Sequence, residues 1–168
     1  MNKIIINCVA AALLVFISSA AMAEVKLGYI NFGKLMEQSA QGQSVRKSLE
    51  TEFAGRDKEL SGSRDDILKL EEKLKNEGSI MSEGNRVKLE REILSQKRDH
   101  NRLRDEYRED LNIRRNEEVA ALQKKVYEVI KEYSEKMKYD LVLTQPVLYA
   151  SPVVDITDEV LAELNAAK

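Results

Sequence analysis

Between Ser82 and about Lys138 the chain has no proline, and its one glycine there, Gly84, falls in the first turn. The larger apolar residues of this stretch recur at three and four: Leu89, Ile93, Leu103, Tyr107, Leu111, Leu122, Val126, Ile130, Tyr133 and Met137. That spacing lines them along one side of an α-helix. At ~1.5 Å per residue the helix runs about 85 Å, wider than a small globular core. Much of it must project, and a projecting helix needs a partner. The stretch upstream, Ala40 to Asn76, has the same character and predicts the second arm of a hairpin closing near Gly78.

The first arm carries Phe53, Leu60, Ile67 and Leu74 at a strict seven-residue step, as at one seam position of a coiled coil. The companion position reads Leu49, Arg56, Ser63, Leu70 and is half polar. The return arm passes through Gln96 and His100 between Ile93 and Leu103, and beyond Leu111 the apolar phase shifts. A hairpin packed dry only in places is expected, one that bends and splays more readily than a zipper. About half the residues from Arg56 to Glu118 are charged. Five pairs are spaced to support their own helix: Glu52/Arg56, Asp65/Lys69, Glu71/Lys75, Asp110/Arg114 and Glu132/Lys136.

The turn, 77–82, holds Gly78, expected to take the left-handed conformation that ends a helix, and two apolar residues, Ile80 and Met81. Ser82 caps the return helix, with Glu83 in its first turn.

The ends of the chain differ from its middle. Lys3, the apolar run Ile4–Ile17 and the small-residue site Ala21-Met22-Ala23 read as a secretory signal peptide over residues 1–23, cut between Ala23 and Glu24. Its loss removes Cys8, the only cysteine, and takes the formal net charge from −2 to −3. A mildly acidic chain gives no support for nucleic-acid binding. Val25 to Ile30 predicts a strand with Val25, Leu27 and Tyr29 on one face. Asn31 and Ser39 are placed to cap the next two helices. Near the other end, 140–144 and 147–150 predict strands bounded by Pro146 and Pro152, with Leu141, Leu143, Val147 and Tyr149 as their apolar positions. Thr157 is placed to cap a last helix over 158–165.

The fold class expected is mainly α with a small β part. A long antiparallel helical-hairpin arm, 51–118, projects from a small β-containing body built from 24–50 and 119–168. Three short strands leave open edges, and so small a body is marginal alone. Sharing a sheet or barrel among subunits solves both problems, so the chain is expected to be an obligate oligomer.

No catalytic chemistry is apparent. His100, the only histidine, falls on the hairpin seam. With no second histidine and no remaining cysteine, a zinc or Cys/His site has no ligand set. There is no glycine-rich phosphate loop, and carboxylates on a thin charged hairpin lack the cleft that tunes an acid–base pair. The expectation is a non-enzyme without cofactor or metal. Charge is uneven on the return arm: Arg86, Lys88, Arg91, Lys97, Arg98, Arg102 and Arg104 face only Glu90, Glu92 and Asp99 over 86–104. Such a stretch attracts acidic segments or anionic lipid headgroups.

Along essentially its whole length after the leader, the chain resembles the Skp (OmpH) family of periplasmic chaperones. The pieces that carry the likeness are VKLGYINFGKLMEQS, SLETEFAGRDKEL, RVKLEREILSQ, RRNEEVAALQKKV and KYDLVLTQPVLYASPVVDIT, in that order and spacing. The resemblance implies a homotrimer whose β body joins three subunits and whose arms enclose a cavity. It also implies binding of unfolded outer-membrane β-barrel proteins in the periplasm without nucleotide, and brings lipopolysaccharide as a further contact. Family members are often strongly basic, whereas this chain is basic only locally. Flexible arms with scattered apolar residues suit such a role, since many weak contacts together supply affinity. The competing reading is a structural coiled-coil envelope spacer or assembly adaptor with one defined partner, against which the polar seam positions argue.

Overall fold

The computed structural model describes residues 25–167, so the leader and its expected cleavage between Ala23 and Glu24 lie outside the described residues. The elements are β1 (Leu27–Tyr29), α1 (Phe32–Gln38), α2 (Ala40–Glu77), α3 (Glu83–Lys136), β2 (Leu141–Leu143) and α4 (Thr157–Ala166). The fold is mainly helical with a small β part, and α2 and α3 pack as one long antiparallel hairpin.

The helix starts follow from local chemistry. The Asn31 side chain accepts from the Lys34 amide at 3.0 Å, and Ser39, fully buried, accepts from the Gly42 amide at 3.0 Å. Ser82 accepts from the Asn85 amide at 3.4 Å. These hydroxyl and amide oxygens satisfy backbone donors that have no partner within the helix.

The helix ends differ from expectation. Gly78 is not left-handed; its φ of −56° and ψ of −32° continue the helix. The Glu77 carbonyl accepts from both the Ile80 and Met81 amides, so the last turn tightens and needs no positive φ. The left-handed residue is Lys138, at φ 57°. Its amide donates to the Glu135 carbonyl at 3.2 Å and that of Tyr139 to the Ser134 carbonyl at 2.9 Å. This is a Schellman end, completed by Tyr139 stacking on Tyr133 at 6.4 Å.

β1 and β2 are parallel, with Leu27 opposite Leu141, Gly28 opposite Val142 and Tyr29 opposite Leu143. The expected strand at 147–150 does not form; that segment is irregular. Prolines on both sides limit its donors, and the free edge of β1 is taken instead by the segment around Asp155. The Tyr29 amide donates to the Val154 carbonyl at 2.6 Å, and the Ile156 amide donates to the Tyr29 carbonyl at 2.9 Å.

Thr157 does not cap α4. It begins the helix, and its amide donates to the Asp155 carboxylate at 3.0 Å. The Thr157 hydroxyl instead accepts from the Asn31 amide at 2.9 Å, tying the start of α1 to the start of α4.

The core gathers Ile30, Leu35, Ile156, Val160 and Leu164 around Leu122, Val126, Val129, Ile130 and Tyr133. Those last five lie on the final turns of α3. The same unbroken helix of 54 residues that forms the return arm is therefore also the central strut of the core.

Candidate functional site

Among the described residues two surfaces are candidates for contact with other molecules: the length of the hairpin and the outer face of the sheet.

Along the hairpin, only Phe53 and Ile67 on α2, with Leu89 and Ile93 on α3, are buried over the region where the two arms run side by side. Leu49, Leu60, Leu70, Leu74, Leu103, Tyr107 and Leu111 are half-buried. Polar groups complete the seam. His100 Nδ1 lies 3.2 Å from the Ser63 hydroxyl on the facing arm. Lower down, Phe53 meets Tyr107 edge-to-face at 5.7 Å. The Arg56 guanidinium stands beside both rings and pairs with Asp110 at 2.7 Å.

None of the five within-helix pairs expected from spacing is among the ion pairs of the described residues. Glu52 pairs with Arg114 across the hairpin at 3.2 Å, Arg56 with Asp110, and Glu71 with Lys97. Lys69 takes Asp66 at 2.8 Å, and Lys136 takes Glu163 of α4 at 3.0 Å. At Glu52, Arg56 and Glu71 the facing helix brings an oppositely charged group within reach. A cross-helix pair then competes directly with the local one. Arg114 gathers Glu117, Glu52 and Glu118, and hydrogen bonds to these carboxylates raise its pKa, Glu117 first.

The basic stretch is partly spent on such pairs. Arg86 bonds Glu83 and Glu90, and the Glu83 hydrogen bond holds its pKa above the ordinary arginine value. Lys97 is held by Glu71. Lys88, Arg91 and Arg98 are exposed and make no ion pair among the described residues. Their spacing places them on one face of α3. At the turn Ile80 is 84% exposed, while Met81 is half-buried.

Sequence reasoning passed over Leu68 and Leu94, exposed by 51% and 56%. Leu94 with Leu74 and Ile93 lines a shallow groove of about 520 Å³, rimmed by Glu71, Lys75, Glu90 and Lys97. Leu68 with Ile67 lines a smaller one of about 260 Å³ beside His100. Each of these two leucines sits one position beyond a seam residue, a signal available in the sequence.

The second surface is the sheet. Gly28 and Val142 face the core side, against Tyr139 and Ile156. By alternation Leu27, Tyr29, Leu141 and Leu143 share the other face. Leu27, Leu141 and Leu143 are exposed there, and Tyr29 is half-buried. Val25 and Val147 are exposed nearby, and Tyr149 is 80% exposed. Leu148 and Val153, absent from the sequence-based selection, are more exposed still. Contiguous exposed apolar faces are where interaction surfaces are found, which makes this face a candidate. Below it Tyr29, Phe32, Tyr127 and Pro146 line a hollow of about 350 Å³, with Phe32 and Tyr127 stacked at 4.8 Å.

Residues 26–164 match the family model for outer membrane protein (OmpH-like). The chain is 30% identical over 159 residues to the chaperone protein Skp of Yersinia enterocolitica, covering 94% of this chain and 97% of that protein. It is 32% identical over 158 residues to the chaperone protein Skp of Escherichia coli K12, covering 93% and 96%. Among solved structures, an OmpH-like protein from Caulobacter crescentus CB15 superposes with a TM-score of 0.70 at 18% identity, covering 87% of both chains, and so shares the fold.

Proposed function

The chain belongs to the OmpH-like outer membrane protein family, and on that premise we propose that it is an ATP-independent periplasmic holdase. It binds unfolded outer-membrane β-barrel proteins, prevents their aggregation and helps deliver them for assembly. The observation that carries this reading is the arm itself. It places an antiparallel helical pair well away from the core, yet buries only four large apolar side chains along its shared length. Its remaining apolar residues stand half-exposed among charges. Such a surface offers many weak, unselective contacts, and several used at once supply affinity.

Oligomerisation belongs to the same proposal. On this reading the face of Leu27, Tyr29, Leu141 and Leu143, with Val25, Val147 and Tyr149 beside it, joins the copies, three in number as the family resemblance implies. Several arms then surround one client. Lys88, Arg91 and Arg98 steer acidic segments toward the distal arm and offer contacts to anionic lipid, with Arg86 and Lys97 contributing less because each is already paired. Ile80 and Met81 extend the client-contact surface to the tip. Localisation in the periplasm follows from the leader expected over residues 1–23.

The test is a client-protection assay. A urea-unfolded outer-membrane β-barrel is diluted without nucleotide, in the presence or absence of the protein, and aggregation is followed by light scattering. Suppression at near-stoichiometric oligomer, with a co-migrating complex, is expected. A variant with Leu60–Leu111 replaced by a short turn should keep an oligomeric body and lose protection. If that variant protects as well as the parent, the arm is not the binding element. If the folded parent protects nothing, a structural spacer or adaptor replaces the holdase reading.

A further inference from the structure

We infer that the arm takes its client on one of its two broad sides, the side that carries Leu68 and Leu94, and that the segments favoured there set acidic residues between apolar ones. The inference rests on the holdase reading and adds to it a face and a bias in sequence. Leu68 on α2 and Leu94 on α3 are each more than half exposed. Three shallow hollows follow the seam between the two helices, of about 390, 260 and 520 Å³. Along α2 they are flanked in turn by Glu50 and Asp57, by Arg64 and by Glu71, which advance by sevens and so lie on one side of the hairpin. Leu68 and Lys75 keep the same step on that side, as do Leu94 and Asn101 on α3.

The opposite flank differs in charge. There Glu52, Glu59 and Asp66 on α2 and Glu92, Asp99 and Glu106 on α3 form two rows of carboxylates, each advancing by sevens. Arg114, Lys69 and Arg102 offset part of this charge. An acidic segment is repelled by such rows and attracted to the middle hollow of the first side. That hollow is lined by Arg64, Ile67, Leu68, Lys97, His100 and Asn101, with no carboxylate among them. Arg64 is exposed and makes no ion pair among the described residues. The floor is apolar and the rim cationic, so an apolar side chain flanked by carboxylates complements both. The next hollow toward the tip lies one heptad on, about 10 Å at ~1.5 Å per residue, which an extended chain spans in about three residues. Separate hollows at that interval suit side chains presented singly by a polypeptide, whereas an acyl chain needs one continuous channel.

The chain beyond the leader has no cysteine, so an environment-sensitive thiol dye can be placed singly in it. Asn101→Cys puts the dye on the Leu68 and Leu94 side, and Glu59→Cys puts it on the other. An unfolded outer-membrane β-barrel, added without nucleotide, should shift the emission at 101 and leave that at 59 unchanged. Leu68→Ser with Leu94→Ser, both exposed and checked for helicity by circular dichroism, should weaken capture by roughly tenfold. Glu59→Ser with Glu106→Ser should not weaken it. An unstructured peptide with leucines three apart and aspartates between them should compete for the site at low salt better than its twin with lysines for aspartates. Equal dye shifts at 101 and 59, or equal losses in the two double variants, overturn the one-sided face. Equal competition by the two peptides overturns the acidic bias, and a shift at 101 with anionic vesicles but not with the β-barrel overturns the occupant. A folded parent that protects no client in the light-scattering assay overturns the holdase reading itself, a result distinct from protection without sidedness.

Discussion

At the residue scale tight constraints fall at two glycines that join packed elements. A Cβ at Gly42 would overlap the carbonyl of Met36, where α1 turns into α2, and one at Gly28 would lie 2.8 Å from Ile156 Cδ1 in the buried core. Gly42→Ala, which meets backbone, should cost about 3 kcal/mol or more through overpacking, seen as a lower urea midpoint with unchanged slope, and Gly28→Ala, which meets the end of the Ile156 side chain, should cost less. Lys138→Gly should act in the opposite direction. A non-glycine left-handed residue costs roughly 1–2 kcal/mol, so its removal at φ 57° should raise the midpoint. Tyr133 predicts an alkaline limit. Burial, then Tyr139, raises its hydroxyl above the ordinary 10.0. The unfolded chain therefore loses this proton first; the contribution is complete below pH 10 and is lost as pH rises through the folded value. Tyr133→Phe should remove part of that alkaline loss while leaving neutral-pH stability nearly unchanged, as checked by urea titration at both pH values. The caps at Asn31, Ser39 and Ser82 were legible in the sequence because a cap is a local bond between residues three apart. Thr157 and Gly78 were not, because Asp155 and a tightened turn offered the backbone equally good local alternatives.

Among the elements, periodicity located both arms within a residue or two, since nothing else competes with a proline-free run of this length. Charge pairing was not legible. Glu52, Arg56, Glu71 and Asp110 each have a partner four residues away, and each takes one on the facing helix instead. Register across a hairpin depends on the turn, which spacing within one helix does not specify. The same ambiguity left Val147–Ala150 looking like a strand, when the edge of β1 is met by the segment at Asp155. For the arm surface, Lys88→Glu, Arg91→Glu and Arg98→Glu together should slow client capture most at low salt, because steering by exposed charge is screened by ions. Stopped-flow capture rates across ionic strength decide it, and rates that stay equal to the parent's at every salt concentration would reduce these residues to a solvated face.

For the whole molecule, the exposed apolar sheet face is the proposed site of oligomerisation. Leu27→Asp with Leu143→Asp leaves the inward face of Gly28 and Val142 intact, so each chain should keep its helices while the oligomer dissociates. Sedimentation with circular dichroism measures both at once; a variant that stays fully assembled would move the interface elsewhere. The alternation of Leu27 and Tyr29 was readable in the sequence. The height to which Leu148 and Val153 stand clear of the chain was not, because it depends on where the Asp155 segment docks.

The continuity of α3 has a mechanical consequence. A helix that is core strut at one end and arm at the other is a lever whose foot is clamped among Leu122, Val126, Ile130 and Tyr133. From Val119 to Glu83 it rises about 55 Å at ~1.5 Å per residue, so a tilt of about 5° at the foot sweeps the far end through about 5 Å. Displacements too small to disturb the packing around Val126 are thus geared up into movements as large as a side chain. Whatever presses on the outer end works back on the sheet with the same mechanical advantage.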